Sequence, residues 1–184
     1  MHDVIKKLTP EQALEVVARL TDKESGIRET VLAEARNVLS EVNLDDIAEN
    51  VYFVLDSIDV HDCWVRAGSS RDGYTSPEEA AVELMEEELQ PYFDQAKRYH
   101  ELGMREQETA YCKGVVLGIY RYQYESKSEF REWAADIPVE CAGALLNEWR
   151  ERGQDSISAG AMDDFIQDRC PNWARYLIRT GRQV

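Results

Sequence analysis

A strong helix start at residues 76–79 constrains this chain more than any other feature. Ser76-Pro77-Glu78-Glu79 combines a hydroxyl for the N-cap, a proline at the first helical position and a glutamate three residues after the cap. Together these residues satisfy the free amides of a first helical turn and fix where the helix begins. Gly103 then ends the helical pattern, and a second helical segment runs to residue 124. The sequence therefore predicts a central helical hairpin over residues 77–124.

Similar start signals recur along the rest of the chain. Thr9-Pro10-Glu11-Gln12, Asn43, Ser126-Lys127-Ser128-Glu129 and Asp136-Ile137-Pro138 each favour a helix N-terminus. These signals predict eight or nine helices and no strand, within a single domain over residues 1–184. The fold class is all-α, built as antiparallel helical hairpins or an irregular helical bundle. Stacking like that of tetratricopeptide or HEAT repeats is compatible with this pattern, although no 34-residue period is sustained.

Helical spacing also predicts which faces turn inward in the first three helices. The predicted inward residues are Leu14, Val17, Ala18 and Leu20 in the first helix, Ile27, Val31, Ala35 and Val38 in the second, and Ile47, Val51, Val54, Leu55 and Ile58 in the third. A strand is the alternative over residues 51–55, because Val-Tyr-Phe-Val is β-prone. Asp45 and Asp46, which follow Asn43, favour the helix because acidic side chains are stabilising near a helix N-terminus.

Two breaks in helical preference lie inside the central hairpin. Pro91 removes a backbone hydrogen bond, so it should kink its helix or split it in two. Gly114 and Gly118 each cost about 1 kcal/mol relative to alanine in a helix. Two such residues one turn apart indicate a close crossing with a neighbouring helix.

The charge of the chain bounds its partners. With 21 basic and 36 acidic side chains the net charge is −15, which disfavours nucleic acid and anionic membranes as partners. No apolar run approaches the roughly 18 residues that a membrane-spanning helix needs, and the first residues do not resemble a signal peptide. The four cysteines are widely spaced, without CxxC pairs. We expect a cytoplasmic protein with reduced thiols.

Clustered carboxylates offer one route to chemistry. Glu79, Glu83, Glu86 and Glu87 follow each other at helical spacing, as the ligands of helical di-metal sites do. The segment after Gly103 supplies no facing pair of acids, and no Glu-x-x-His motif is present. The sequence predicts no catalytic residue, cofactor or metal, and a metal-dependent hydrolase that uses these four glutamates is kept as an alternative.

The loop before the central hairpin carries a different signal. Trp64, Arg66, Arg71, Asp72 and Tyr74 place two cations, one acid and two aromatic rings within eleven residues. Aromatic and arginine side chains are enriched at binding hot spots. The structural alternative is that Arg71 and Tyr74 fasten a long connection to the helices. We predict these five residues as the binding site.

Two segments carry a resemblance to a known family. The segments are Trp64-Val-Arg-Ala-Gly-Ser-Ser-Arg-Asp-Gly-Tyr-Thr-Ser-Pro-Glu-Glu-Ala-Ala and Cys112-Lys-Gly-Val-Val-Leu-Gly-Ile-Tyr-Arg-Tyr. Over residues 45–150 the chain resembles an uncharacterised prokaryotic all-helical family, similar to the tetratricopeptide-like regions that accompany SWIM-type zinc-finger proteins. The cysteine–histidine finger itself is absent, so no role with zinc or nucleic acid carries over. The resemblance implies a helical interaction scaffold with an unknown partner.

The functional hypothesis is therefore a helical scaffold or protein–protein interaction module without evident catalytic activity. Its expected partner is another protein, and a homodimer is compatible with the sequence. A second alternative is an acidic mimic of nucleic acid that occupies the basic groove of a protein, since the net charge is −15.

Overall fold

The computed structural model describes residues 4–23, 25–70, 73–133 and 135–180, and most of them are helical. Ten α-helices lie in these ranges: α1 (Pro10–Lys23), α2 (Ser25–Ser40), α3 (Leu44–Asp56), α4 (Val60–Arg66), α5 (Pro77–Glu101), α6 (Arg105–Glu125), α7 (Phe130–Trp133), α8 (Ile137–Glu151), α9 (Ser156–Arg169) and α10 (Ala174–Thr180). Short 3-10 turns occur at Ile5–Lys7 and Pro171–Trp173. The all-α prediction is confirmed, with ten helices instead of eight or nine. Residues 51–55 belong to α3, so the strand alternative is wrong.

One short hairpin interrupts the helices. β1 (Gly68–Ser70) and β2 (Gly73–Thr75) pair antiparallel, with Gly68 opposite Thr75 and Ser69 opposite Tyr74. The sequence indicated only turns at residues 68–75, so the expectation of no strand is wrong at this position. Strands of three residues contain too little apolar and polar alternation to be recognised by their period.

The chain divides into two compact units, Met1–Glu41 and Val42–Val184, a division that the single-domain prediction did not anticipate. The first unit contains α1 and α2, which pack against each other. All the residues predicted to face inward on α1 are exposed, as are Ala35 and Val38 on α2, while Ile27 and Val31 are half-buried. Leu14 is 70% exposed. The inward prediction is wrong here because the apolar arc of α1 is wider than the seam that one partner helix covers.

Helix α6 is the centre of the second unit. It packs most extensively against α3 and then against α8, α5 and α9. Its buried side chains share one hydrophobic core with residues of the surrounding helices, among them Val51, Leu55, Met85, Leu89, Leu145, Leu146 and Trp149. The predicted hairpin of α5 and α6 is present, but the principal neighbour of α6 is α3. Regular repeat stacking stays a prediction.

Two glycines allow α6 to approach α3 closely. A Cβ atom at Gly118 would lie 2.6 Å from the Ala48 carbonyl oxygen and 2.6 Å from Val51 Cβ. At Gly114 a Cβ atom would lie 2.8 Å from Ile47 Cβ. Such distances are well below ordinary carbon contacts, so any side chain here would force the helices apart. The predicted close crossing is confirmed, and α3 is the helix that makes it.

The predicted helix boundaries follow from local hydrogen bonds. The Ser76 hydroxyl accepts from the Glu79 amide at 3.1 Å, and the Glu79 carboxylate accepts from the Ser76 amide at 2.8 Å. Asn43 caps α3 through the amides of Asp45 and Asp46. Gly103 has a φ of +70° after α5, as expected for a left-handed terminator. Pro91 lies inside α5 without splitting it.

The close crossing gives a direct test of the fold. Gly118→Ala should lower the free energy of unfolding by about 1–3 kcal/mol, because the new methyl group meets a backbone oxygen that cannot rotate away. Urea unfolding followed by circular dichroism measures this change. Gly160→Ala on α9 is the matched control, since nothing lies within 4 Å of its Cβ position. The control should gain about 0.5–1 kcal/mol. Equal effects at both positions would contradict the crossing.

Candidate interaction surface

Three of the five predicted binding residues, Trp64, Arg66 and Tyr74, are described by the structure and lie on α4 and β2, which are close in the chain. Trp64 lies on α4 and is 56% exposed, and Tyr74 lies on β2 and is 68% exposed. Val65, next to Trp64, is also exposed. Arg71 and Asp72 lie outside the described residues. The α4–hairpin edge, defined as Trp64, Val65 and Tyr74, therefore presents two aromatic rings and one aliphatic side chain to solvent.

Contacts with neighbouring helices hold α4 in place. The Arg66 guanidinium donates to the Glu87 carboxylate at 2.8 Å and lies 4.0 Å from that of Glu83. The Trp64 ring meets the edge of Trp133 on α7, with the ring centroids 5.3 Å apart. The paired guanidinium also lowers the pKa of Glu87. Arg66 thus fastens α4 to α5, a structural role that the sequence did not separate from binding.

The four glutamates of the alternative metal site, Glu79, Glu83, Glu86 and Glu87, have different surroundings. Glu79 completes the cap of α5, and Glu83 and Glu87 face Arg66. Glu86 instead lines a groove between α5 and α8. Across the described parts of the chain, no three His, Cys, Asp or Glu side chains form a group that could hold a metal ion. The structure does not bring these four carboxylates together as ligands.

A groove between α5 and α8 has a volume of about 420 Å³. Its apolar floor includes Leu89 and Phe93 of α5 and Ile137 of α8, and three carboxylates, Glu86, Glu140 and Glu148, line it. Glu148 is paired with Arg152 at 2.7 Å. Among the described residues, neither Glu86 nor Glu140 has an ion-pair partner. The α5–α8 groove therefore combines apolar surface with uncompensated negative charge, which the sequence did not predict.

Cys141 lines the same groove and responds to its charges. Burial raises the pKa of the Cys141 thiol to about 12, and Glu86 and Glu140 add to the effect. A thiol with this pKa is neutral near pH 7, so it belongs to the apolar part of the lining. Cys63, Cys112 and Cys170 are also free and buried, in agreement with structural cysteines.

The sequence also missed a buried carboxylate at the start of α6. Glu108 is 0% exposed, and its oxygens lie 3.1 Å from an Arg152 guanidinium nitrogen, 3.3 Å from the Gln154 amide nitrogen and 3.4 Å from His100 Nδ1. A buried charge needs partners of this kind. Glu108 lies one turn before the buried Cys112, on the same face of α6, and this spacing is the sequence feature that indicates its burial. The cluster joins α5 and α6 to the C-terminal end of α8.

Comparisons with protein-family models, curated proteins and solved structures gave no match to this chain. The resemblance over residues 45–150 therefore stays a prediction. None of the described helices is long and apolar enough to span a membrane.

The Cys141 environment predicts how fast its thiol reacts. Glu86→Gln combined with Glu140→Gln removes two negative charges, which lowers the pKa of Cys141 and raises the thiolate fraction. Alkylation by iodoacetamide at pH 9 should accelerate about threefold or more, as measured by mass spectrometry of the Cys141 peptide. Glu78→Gln combined with Glu88→Gln changes the net charge equally, but neither residue lines the groove. The same rate in both double variants would contradict the assignment.

The Glu108 cluster predicts a large stability effect. Arg152→Ala should lower the free energy of unfolding by about 3–5 kcal/mol, because the Glu108 carboxylate then stays buried without the guanidinium that pairs with it. Glu108→Gln in the same chain should recover part of this loss. The control is Arg169→Ala, which removes an exposed ion pair with Asp45 and should cost less than about 1 kcal/mol. Urea unfolding measures all three variants, and a cost for Arg152→Ala as small as that of the control would contradict a stabilising pair.

Proposed function

We propose that this chain is a protein-interaction module that contacts another protein through the α4–hairpin edge. The observation that carries the proposal is the exposure of Trp64 and Tyr74, together with the contacts that fasten α4 to α5 and α7. Large aromatic side chains contribute much of the energy at protein interfaces when a partner buries them. A fixed edge also loses little conformational freedom on binding.

The role of each edge residue follows from its surroundings. Tyr74 contributes a mostly exposed ring on β2 and supplies contact area. Trp64 offers its exposed part to the partner while its edge-on contact with Trp133 keeps the ring oriented. Arg66 is already engaged by Glu87, so it acts as an anchor of the edge and not as its principal contact. Arg71 and Asp72 stay predicted members of the site.

Photo-crosslinking and capture test this proposal in living cells. A photo-crosslinking amino acid at position 74 should trap a specific partner, whereas the same group at position 157 should not. Ile157 on α9 is a suitable control because it is also strongly exposed and apolar. Tyr74→Ala and Trp64→Ala should each reduce recovery of the partner about tenfold or more, while Ile157→Ala leaves it unchanged.

Thermal unfolding by circular dichroism must show that the Tyr74→Ala chain stays folded, since the exposed ring contributes little to the core. An unchanged set of captured proteins for a folded Tyr74→Ala variant would overturn the proposal. The acidic-mimic alternative makes the opposite prediction. It requires salt-sensitive binding of a basic protein that Tyr74→Ala does not affect.

A further inference from the structure

The α5–α8 groove combines carboxylates with apolar side chains in one cavity. Its lining contains two carboxylates, Glu86 and Glu140, that have no ion-pair partner in the described part of the chain, together with the apolar side chains Leu89, Phe93 and Ile137. Carboxylates in such a position favour a cationic occupant, and the apolar floor favours one with a hydrocarbon body. A guanidinium or ammonium group on an alkyl stem has both properties.

The size and arrangement of the groove indicate an organic cation. A volume of about 420 Å³ is within the range of sites for small ligands and side chains. No group of three metal-ligating side chains converges in the described residues, as a bare divalent ion would need. Phe93 adds an aromatic ring, to whose face a cation can bind.

A second depression extends the acidic surface beyond the groove. It is lined by Glu83, Glu86, Glu87 and Gln90 and shares Glu86 and Gln90 with the groove. Glu86 borders both depressions, whereas Glu83 and Glu87 already face Arg66, so an elongated occupant can run from one depression into the other past Glu86. A helical polypeptide segment with a basic side chain beside Glu86 and apolar side chains one turn away fits this arrangement.

The overall charge favours the same kind of partner. Residues 42–184 contain 15 arginine and lysine side chains against 28 aspartate and glutamate side chains, a net charge of −13. Residues 1–41 contain 6 basic and 8 acidic side chains. Most of the attraction for a basic segment therefore comes from the unit that contains the groove. Such a field speeds the encounter with a basic partner and repels acidic ones.

We infer that the α5–α8 groove binds a basic, amphipathic segment of the partner protein, with an arginine or lysine side chain between Glu86 and Glu140 and apolar side chains on Leu89, Phe93 and Ile137. The inference rests on the proposed function, because it takes the partner to be a protein. It adds the chemical class of that partner and a second contact surface beside the α4–hairpin edge. The Arg66–Glu87 ion pair joins this edge to α5, which forms one wall of the groove.

A designed peptide tests the groove without the native partner. The probe is a fluorescent helical peptide of about 16 residues, with arginines at positions i and i+4 and leucines at i+3 and i+7. Fluorescence anisotropy measures its dissociation constant for the full chain. Glu86→Gln with Glu140→Gln should weaken binding about tenfold or more, whereas Glu78→Gln with Glu88→Gln should change it less than about twofold. A peptide with citrulline in place of arginine should bind about tenfold more weakly or worse.

A second readout locates the peptide. Bound peptide should protect Cys141 from alkylation, since the thiol lines the groove. Equal weakening by the two pairs of glutamine substitutions would overturn the inference in favour of general charge attraction. Equal binding of the citrulline peptide, or no binding of the arginine peptide at millimolar concentration, would also overturn it. None of these outcomes depends on Tyr74, so a failure of the groove is distinguishable from a failure of the α4–hairpin edge.

Discussion

The close approach of α6 to α3 is the contact on which the rest of the second unit depends. Gly114 and Gly118 let the backbone of α6 touch side chains and carbonyl groups of α3 directly. With α3 so close, α6 lies in the middle of the unit, and α5, α8 and α9 pack around its other sides. The two glycines lower the intrinsic helix propensity of α6, but the packing that they permit on several sides offsets that cost.

A helix enclosed in this way must have its polar groups satisfied at both ends. At its start, Glu108 is held by Arg152 and Gln154, which lie directly after the C-terminal end of α8. Just after its end, the buried Ser126 hydroxyl donates to Asp56 of α3, and Arg131 donates to the Ser126 carbonyl oxygen. These hydrogen bonds of Glu108 and Ser126 fix neighbouring elements against α6, which adds orientation to the non-directional packing of the core.

The parts of the fold that the sequence predicted are those decided by local chemistry. The Ser76–Glu79 cap, the Asn43 cap and the Gly103 terminator involve groups within a few residues of each other, and all are confirmed. The sequence did not predict which helix α6 crosses, because the spacing of Gly114 and Gly118 indicates a close neighbouring helix but does not identify it. The exposure of Leu14 and the burial of Glu108 were not predicted for the same reason. The helical period shows which residues share a face of a helix, but only the tertiary structure shows whether another element covers that face.

In the candidate site, too, the sequence predicted local features and not tertiary contacts, as α5 shows. Its glutamates look alike in the sequence, yet Glu79 caps the helix, Glu87 holds Arg66 and Glu86 lines the groove. A charge that is already neutralised by a neighbour contributes little to attracting a partner, whereas Glu86 and Glu140 lie beside apolar surface without an ion-pair partner among the described residues. The α4–hairpin edge and the α5–α8 groove are joined through the Arg66–Glu87 pair, so one partner that carries an apolar patch and a basic segment would contact both. A basic side chain that entered the second depression would compete with Arg66 for Glu83 and Glu87, the two carboxylates that hold α4 against α5.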